Sequence, residues 1–124
     1  MRYLWVFGIV LTVTLSCVKN GNIHVDELKK GSFKTTLEDK ETVSYAMRND
    51  SIQIEDFNGI KDTFNIKWID QFEYVLVKRH PKTMLDSTPF HVKITGIKNN
   101  TYTFSAYYKG SNFKQKGKAE KLAE

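Results

Sequence analysis

Three histidines and fourteen carboxylates are the side chains of this sequence that could hold a metal ion or move a proton. His24, His80 and His91 lie far apart, and no two of them have the spacing of metal ligands on one element. Glu55 and Asp56 are adjacent in an alternating segment, where neighbouring side chains point to opposite faces. No glycine-rich phosphate loop and no nucleophile elbow occurs in the sequence. The sequence therefore predicts a protein that is not an enzyme and needs no metal or cofactor.

The single cysteine, Cys17, ends a segment with the features of a signal peptide. Arg2 supplies a positive start, residues 3–15 are uncharged and mostly apolar, and the small residue Ser16 precedes the cysteine. Residues 14–17 (TLSC) resemble a bacterial lipobox, in which the cysteine is diacylated and the peptide is cut before it. Two or more acyl chains, such as palmitate, hold a protein durably on a membrane. The alternative is an ordinary signal peptide with an incidental cysteine.

The chain therefore divides into three parts. Residues 1–16 are expected to be a lipoprotein signal peptide, residues 17–30 the lipidated cysteine, a tether and a short helix, and residues 31–124 a β-barrel domain. No acidic residue follows Cys17 until Asp26, so the acidic cluster that directs some lipoproteins to the cell surface is missing. This favours an outer-membrane lipoprotein that faces the periplasm.

From residue 31 onward, apolar residues recur with a period of two, which is typical of half-buried strands. Asn49-Asp50, Asn58-Gly59 and Asn99-Asn100 separate these segments, and such residues adopt the positive φ of tight hairpins. Only residues 80–89 form a longer connection. The pattern predicts an all-β domain of about eight short antiparallel strands in an up-and-down meander. We expect a small closed or partly open lipocalin-like barrel after the N-terminal signal helix.

The alternation also predicts which apolar residues face the barrel interior. Met47 shares the apolar phase of Tyr45, and Ile52 and Ile54 form the apolar phase of the next segment. The aromatic residues on inward phases are Phe33, Tyr45, Phe64, Trp68, Tyr74, Phe90, Tyr102, Phe104 and Tyr108. In a barrel of eight strands, side chains either fill the interior or leave room for one small ligand. We expect filling. The alternative is a pocket for a small apolar ligand at one mouth, with Trp68, Tyr74, Arg79 and residues 80–89 at its rim.

Positive charge is concentrated in the second half of the chain. Residues 17–76 carry 8 basic and 11 acidic side chains, whereas residues 77–124 carry 10 basic and 3 acidic ones. Lys114, Lys116 and Lys118 share one face of the last predicted strand. Such a basic face could lie against anionic lipid, although lysines more often protect a strand edge from aggregation. An exported protein seldom meets nucleic acid, so nucleic acid is not an expected partner.

Four segments resemble those of a group of small Bacteroidetes (flavobacterial) lipoproteins: RNDSIQIE at 48–55, FNIKWI at 64–69, FEYVL at 72–76 and YYKGSNF at 107–113. The resemblance covers most of the chain after Cys17 and implies no catalytic or binding residues. Members of this group sometimes carry the name DNA topoisomerase IV. A topoisomerase subunit requires an ATPase or strand-cleavage domain several times this size, so that name does not fit these residues.

These observations predict a lipid-anchored cell-envelope protein with a non-catalytic binding or structural role. Its expected partners are the membrane, through acyl chains on Cys17, and either a small apolar ligand or an envelope protein. Two more specific functions are possible. One is a lipocalin-like carrier of a small apolar ligand, and the other is an inhibitor of an envelope hydrolase, in which residues 80–89 plug the cleft of the enzyme. The oligomeric state stays open.

Overall fold

The computed structural model describes residues 21–39 and 41–123, and eight antiparallel strands contain most of these residues. In chain order the elements are a 3-10 helix Val25–Lys29, β1 Gly31–Leu37, β2 Val43–Arg48, β3 Ile52–Phe57, β4 Ile60–Asp70, β5 Glu73–Lys78, α1 Met84–Ser87, β6 Phe90–Lys98, β7 Thr101–Tyr108 and β8 Gln115–Lys121. The expected signal peptide and Cys17 lie outside the described residues. Within the described part of the chain, no helix has the length and apolar character needed to cross a bilayer.

The strands close into a barrel. Each strand pairs with its neighbours in the chain, and β1 also pairs with β8. The predicted all-β fold, with eight strands in up-and-down order, is confirmed, and the barrel is closed. At the closing seam Gly117 lies opposite Leu37, and a Cβ on Gly117 would come within 2.6 Å of the Thr36 carbonyl oxygen. Glycine at this position therefore lets β1 and β8 approach closely enough to pair.

Tight turns with the predicted residues join several strands. Asn58 and Gly59, between β3 and β4, have φ of 53° and 83°, which is the pattern of a type I′ hairpin. Asn99, between β6 and β7, has φ of 57°. The Asn49 side chain accepts a hydrogen bond at 2.8 Å from the backbone N–H of Ser51. These local interactions fix where each hairpin turns and hence which side chains face inward.

The segment before β1 seals one end of the barrel. Its 3-10 helix begins after the capping residue His24 and buries Leu28 completely. Lys121 Nζ donates a hydrogen bond at 2.6 Å to the carbonyl oxygen of Glu27. We call this the closed end; it also carries the β2–β3, β4–β5 and β6–β7 turns. The open end carries the connections β1–β2, β3–β4, β5–β6 and β7–β8.

The core of the barrel is built within the described residues. Its buried members are Ile23, Leu28, Phe33, Ile66, Tyr74, Leu76, Val92, Ile94, Tyr102, Phe104, Ala106 and Ala119. Every strand pairing described above also lies between residues 31 and 121. Because the eight strands and this core lie between residues 23 and 121, we expect the chain from residue 18 onward to fold by itself.

Candidate functional site

β2 and β3 turn polar residues toward the barrel interior, which is the reverse of the prediction from alternation. Tyr45 and Met47 are 49% and 62% exposed, whereas Arg48 is only 4% exposed. Arg48 lies opposite Gln53 across the β2–β3 hairpin, and Gln53 is 2% exposed. Glu55, two residues further along β3, lines the same interior space. The expectation that Tyr45 and Met47 face inward is therefore wrong, and polar side chains of both strands meet inside.

Arg48 is the centre of a hydrogen-bond network at the closed end. Its Nε donates to the side-chain oxygen of Gln53 at 2.7 Å, and its Nη1 donates to the carbonyl oxygen of Leu28 at 2.7 Å. Its Nη2 donates to the hydroxyl oxygens of Tyr74 at 3.1 Å and Tyr102 at 3.0 Å. These two hydroxyl oxygens are 2.9 Å apart. The guanidinium thus ties β2, β3, β5 and β7 to the 3-10 helix. We call Arg48, Tyr74 and Tyr102 the Arg48 cluster.

The positive charge of Arg48 forms no ion pair with a carboxylate of the described residues. The guanidinium carbon lies 4.3 Å from the ring centroid of Phe33 and 4.7 Å from that of Tyr74, so aromatic faces replace part of its hydration. The Glu55 carboxylate is one hydrogen bond further away, since Gln53 Nε2 donates to Glu55 Oε2 at 2.8 Å. The charge of Arg48 is therefore balanced only through an intermediate side chain.

Two donors of the Arg48 cluster have no acceptor among the described residues. A guanidinium has five N–H groups, and four of them donate to Gln53, Leu28, Tyr74 and Tyr102. The fifth, on Nη1, is unused. The two tyrosine hydroxyls have two protons, of which one lies between their oxygens. Burial raises the pKa of Tyr74 well above its ordinary value, so its hydroxyl keeps its proton. One N–H and one O–H thus stay free to donate.

The barrel interior is not completely filled. A cavity of about 320 Å³ extends from the Arg48 cluster to the open end, at the lower limit of volumes usual for small-molecule sites. The expected filling by side chains is therefore incomplete. The residues that line the cavity are Thr35, Leu37, Thr42, Ser44, Arg48, Gln53, Glu55, Phe57, Asp62, Tyr74, Leu76, Phe90, Val92, Tyr102, Phe104 and Gln115.

Two acidic side chains, Glu55 and Asp62, line the cavity on the side of its opening. Burial is the main cause that raises the pKa of Glu55, and the nearby negative charge of Asp62 acts in the same direction. Lys78 Nζ lies 3.7 Å from Asp62 Oδ1 and 3.6 Å from Asp86 Oδ1. Lys61 and Lys82 also lie beside Asp62, outside the cavity. Among the described residues that line the cavity, Arg48 at the floor is the one basic side chain.

The three residues predicted at a ligand pocket do not lie together. Tyr74 is 3% exposed and lines the cavity. Trp68 packs against Tyr74 with ring centroids 4.7 Å apart, outside the cavity lining, and its Nε1 is buried without a hydrogen-bond partner among the described residues. Arg79 is exposed, and its Nη2 donates to Asn65 Oδ1 at 2.9 Å. Only Tyr74 of the three therefore contributes to the cavity.

The predicted basic face lies on the outside of the barrel. Lys114, Lys116 and Lys118 are all exposed, and the last two belong to β8. Lys114 Nζ is 5.8 Å from the ring centroid of Tyr107. Because β8 pairs with both β1 and β7, it has no free edge for these lysines to protect.

Sequence reasoning missed Arg48, Gln53 and Glu55, which carry much of the polarity of the cavity. One feature of the sequence could have indicated Arg48. Ser44 and Ala46 share its phase on β2 and are small, and small neighbours leave room for one long side chain in a narrow barrel. No comparable feature marks Gln53 and Glu55, because the apolar Ile52 and Ile54 on the other phase of β3 are the residues that alternation assigns to the interior.

The chain matches no protein-family model, no curated protein and no solved structure. Within residues 21–39 and 41–123, no three His, Cys, Asp or Glu side chains are grouped so that they could hold a metal ion. What the cavity offers is binding chemistry: hydrogen-bond donors and a positive charge at its floor, and apolar side chains along its wall.

Proposed function

We propose that this chain is a lipid-anchored protein of the bacterial cell envelope that binds a small amphipathic molecule inside its barrel and catalyses no reaction. The observation that carries the binding proposal is the cavity of about 320 Å³ with the Arg48 cluster at its floor. At roughly 30 Å³ for each water-sized group, the cavity accommodates roughly ten such groups. This suits a molecule with about that number of non-hydrogen atoms.

The walls of the cavity favour a ligand with one polar end and one apolar end. Leu37, Leu76, Phe90, Val92 and Phe104 line the space between the floor and the open end. Burying the apolar part of a ligand against such side chains contributes about 25 cal/mol per Å². The polar groups at the floor would then orient the ligand, as a few placed polar groups do in other small-molecule sites.

An anchor at Cys17 would hold the closed end of the barrel near the membrane. The N–H of Asn99 donates to Asn22 Oδ1 at 2.8 Å, and the N–H of Ile23 donates to the Asn99 carbonyl oxygen at 2.8 Å. Asn22 is therefore fixed at the closed end. It is five residues from Cys17, and five residues span at most about 18 Å. The open end would then face away from the membrane, where a ligand can enter from the surrounding compartment.

Filling the cavity tests the binding proposal. Ser44 lines the cavity, so Ser44→Phe places a ring inside it, whereas Thr103→Phe adds the same ring at an exposed position of β7. We expect decanoate, 1-decanol or both to bind the chain from residue 18 onward, as measured by isothermal titration calorimetry. Binding should be unchanged in Thr103→Phe and about tenfold or more weaker in Ser44→Phe. Equal binding by the two variants, or no binding by the unmodified chain, would contradict a site inside the barrel.

Metabolic labelling tests the anchor separately. Cells that express the full chain or Cys17→Ala are fed a clickable palmitate analogue and then fractionated. We expect label and membrane association for the unmodified chain and no label for the variant. An unlabelled chain in the soluble periplasmic fraction would contradict the anchor while leaving the binding proposal intact.

Exposed apolar residues at the open end favour a second candidate function, the inhibition of an envelope hydrolase. Met84 and Leu85 on α1 are 90% and 54% exposed, within the long connection between β5 and β6. Exposed apolar side chains of this kind often enter a cleft of a partner protein. If the chain slows lysozymes or periplasmic proteases, Met84→Asp should abolish the effect. A chain that slows none of them would rule out this candidate for those enzymes.

A further inference from the structure

We infer that the ligand of the cavity is a small carboxylic acid with an apolar tail. Its carboxylate would be bound by the Arg48 cluster at the closed end, with the tail directed toward the open end. This inference rests on the proposed binding of a small amphipathic molecule, and it adds the chemical class of the ligand and its orientation.

The charge of Arg48 is the first observation that points to an acid. A charged side chain is rarely buried to this degree unless an opposite charge pairs with it. Arg48 is 4% exposed, yet Gln53 separates it from Glu55, so it contacts no carboxylate among the described residues. Because Arg48 lines the cavity, a carboxylate bound at the cavity floor would supply the missing opposite charge.

The unused donors are the second observation. One N–H of Arg48 and one hydroxyl proton of the Tyr74–Tyr102 pair have no acceptor among the described residues. Both donors belong to side chains that line the cavity. A carboxylate has two oxygens that each accept hydrogen bonds, and arginine binds it strongly because both charges contribute. An alcohol of the same length would use the same wall but would leave the Arg48 charge without an opposite charge.

The distribution of charge along the cavity gives the orientation. Among the described residues that line the cavity, the acidic Glu55 and Asp62 lie nearer the open end than Arg48, which is the one basic residue of that lining. A carboxylate is repelled by like charge near the opening and attracted at the floor. The apolar wall between the two ends receives the tail. The bound acid should therefore have its carboxylate at the floor and its tail toward the open end.

Matched acids and alcohols test this inference. The chain from residue 18 onward is titrated at neutral pH, by calorimetry, with straight-chain acids and alcohols of about six to about twelve carbons. At the best length, we expect the acid to bind about tenfold or more tightly than the alcohol. Arg48→Met should remove this preference and retain alcohol binding. Lys118→Met, which removes a charge from the outer face of β8, should leave the preference unchanged.

The outcomes separate the inference from the function on which it rests. If the alcohol binds as tightly as the acid, or more tightly, the inference is wrong and the binding proposal stands. If neither series binds, both are wrong. If Arg48→Met does not fold, the comparison of acid with alcohol on the unmodified chain still decides. Tyr102→Phe then provides the second test, because it removes one hydroxyl and should reduce the preference for the acid; an unchanged preference would overturn the role of the hydroxyl pair.

Discussion

Removing the hydroxyl groups of Tyr74 and Tyr102, one at a time and together, measures the energy of the buried network. Tyr74→Phe and Tyr102→Phe keep both rings, which already pack against aromatic neighbours. The Tyr102 ring lies 6.0 Å from Phe33 in an edge-on arrangement, and the Tyr74 ring lies 4.7 Å from Trp68. The two substitutions therefore remove hydrogen bonds with little loss of packing.

The structure sets the expected magnitudes. Each single substitution removes one hydrogen bond from the charged Arg48 and the bond shared between the two hydroxyls. With about 1.5 to 3 kcal/mol for a bond to a charged group and about 1 kcal/mol for a neutral one, each variant should lose about 2.5 to 4 kcal/mol. The double variant loses the shared bond only once. Its loss should therefore be about 1 kcal/mol smaller than the sum of the two single losses.

Urea unfolding of the four chains completes this double-mutant cycle. Tyr45→Phe is the matched control, because Tyr45 is 49% exposed on β2 and should change the unfolding free energy by less than about 0.5 kcal/mol. Single losses below about 0.5 kcal/mol would refute the network as described. Additivity to within about 0.3 kcal/mol would refute the bond between the two hydroxyls.

Three further substitutions test other parts of the fold. Leu28→Ala should lower the unfolding free energy by about 2 to 5 kcal/mol in urea titration, because Leu28 is fully buried where the 3-10 helix seals the barrel. Gly117→Ala should cost about 1 to 3 kcal/mol in the same assay, since its Cβ would come within 2.6 Å of the Thr36 carbonyl oxygen. Glu55→Gln should gain stability over the unmodified chain as pH rises. Burial raises the pKa of Glu55 in the folded chain, so ionisation of Glu55 lowers the unfolding free energy once the pH exceeds about 4.5, the ordinary pKa of the group. In urea titration, Glu55→Gln should therefore be more stable than the unmodified chain at neutral pH and show no gain at pH 3.5.

The fold could be predicted from the sequence because its determinants are local. Alternation of apolar and polar residues marks strands, and asparagine and glycine mark the turns; Asn58, Gly59 and Asn99 adopt the positive φ expected of them. Short turns pair most strands with their neighbours in the chain, so the up-and-down order follows. Closure could not be predicted in the same way, because it depends on pairing between β1 and β8 at opposite ends of the domain.

The polar interior could not be predicted, because its determinants are distant in the chain. Arg48 is buried by partners 20, 26 and 54 residues away, namely Leu28, Tyr74 and Tyr102. Without these partners, burying an arginine is unfavourable, so alternation alone predicts that Met47 faces the interior and Arg48 the solvent, which is the reverse of what the structure shows. The rule fails on β2 and β3 because it counts only apolar residues along one strand, whereas Arg48 and Gln53 are held inside by hydrogen bonds across the barrel.

The most direct test of the central claim, that the barrel binds a small amphipathic molecule in its cavity, is a methyl NMR titration with decanoate. Leu76 and Val92 line the cavity and are 3% and 4% exposed, whereas Ile69 is 48% exposed near the closed end. We predict saturable shifts of the Leu76 and Val92 methyl resonances, with the Ile69 resonance unchanged. If decanoate leaves the Leu76 and Val92 resonances in place, or shifts only exposed methyl groups such as those of Ile69, the cavity does not bind it.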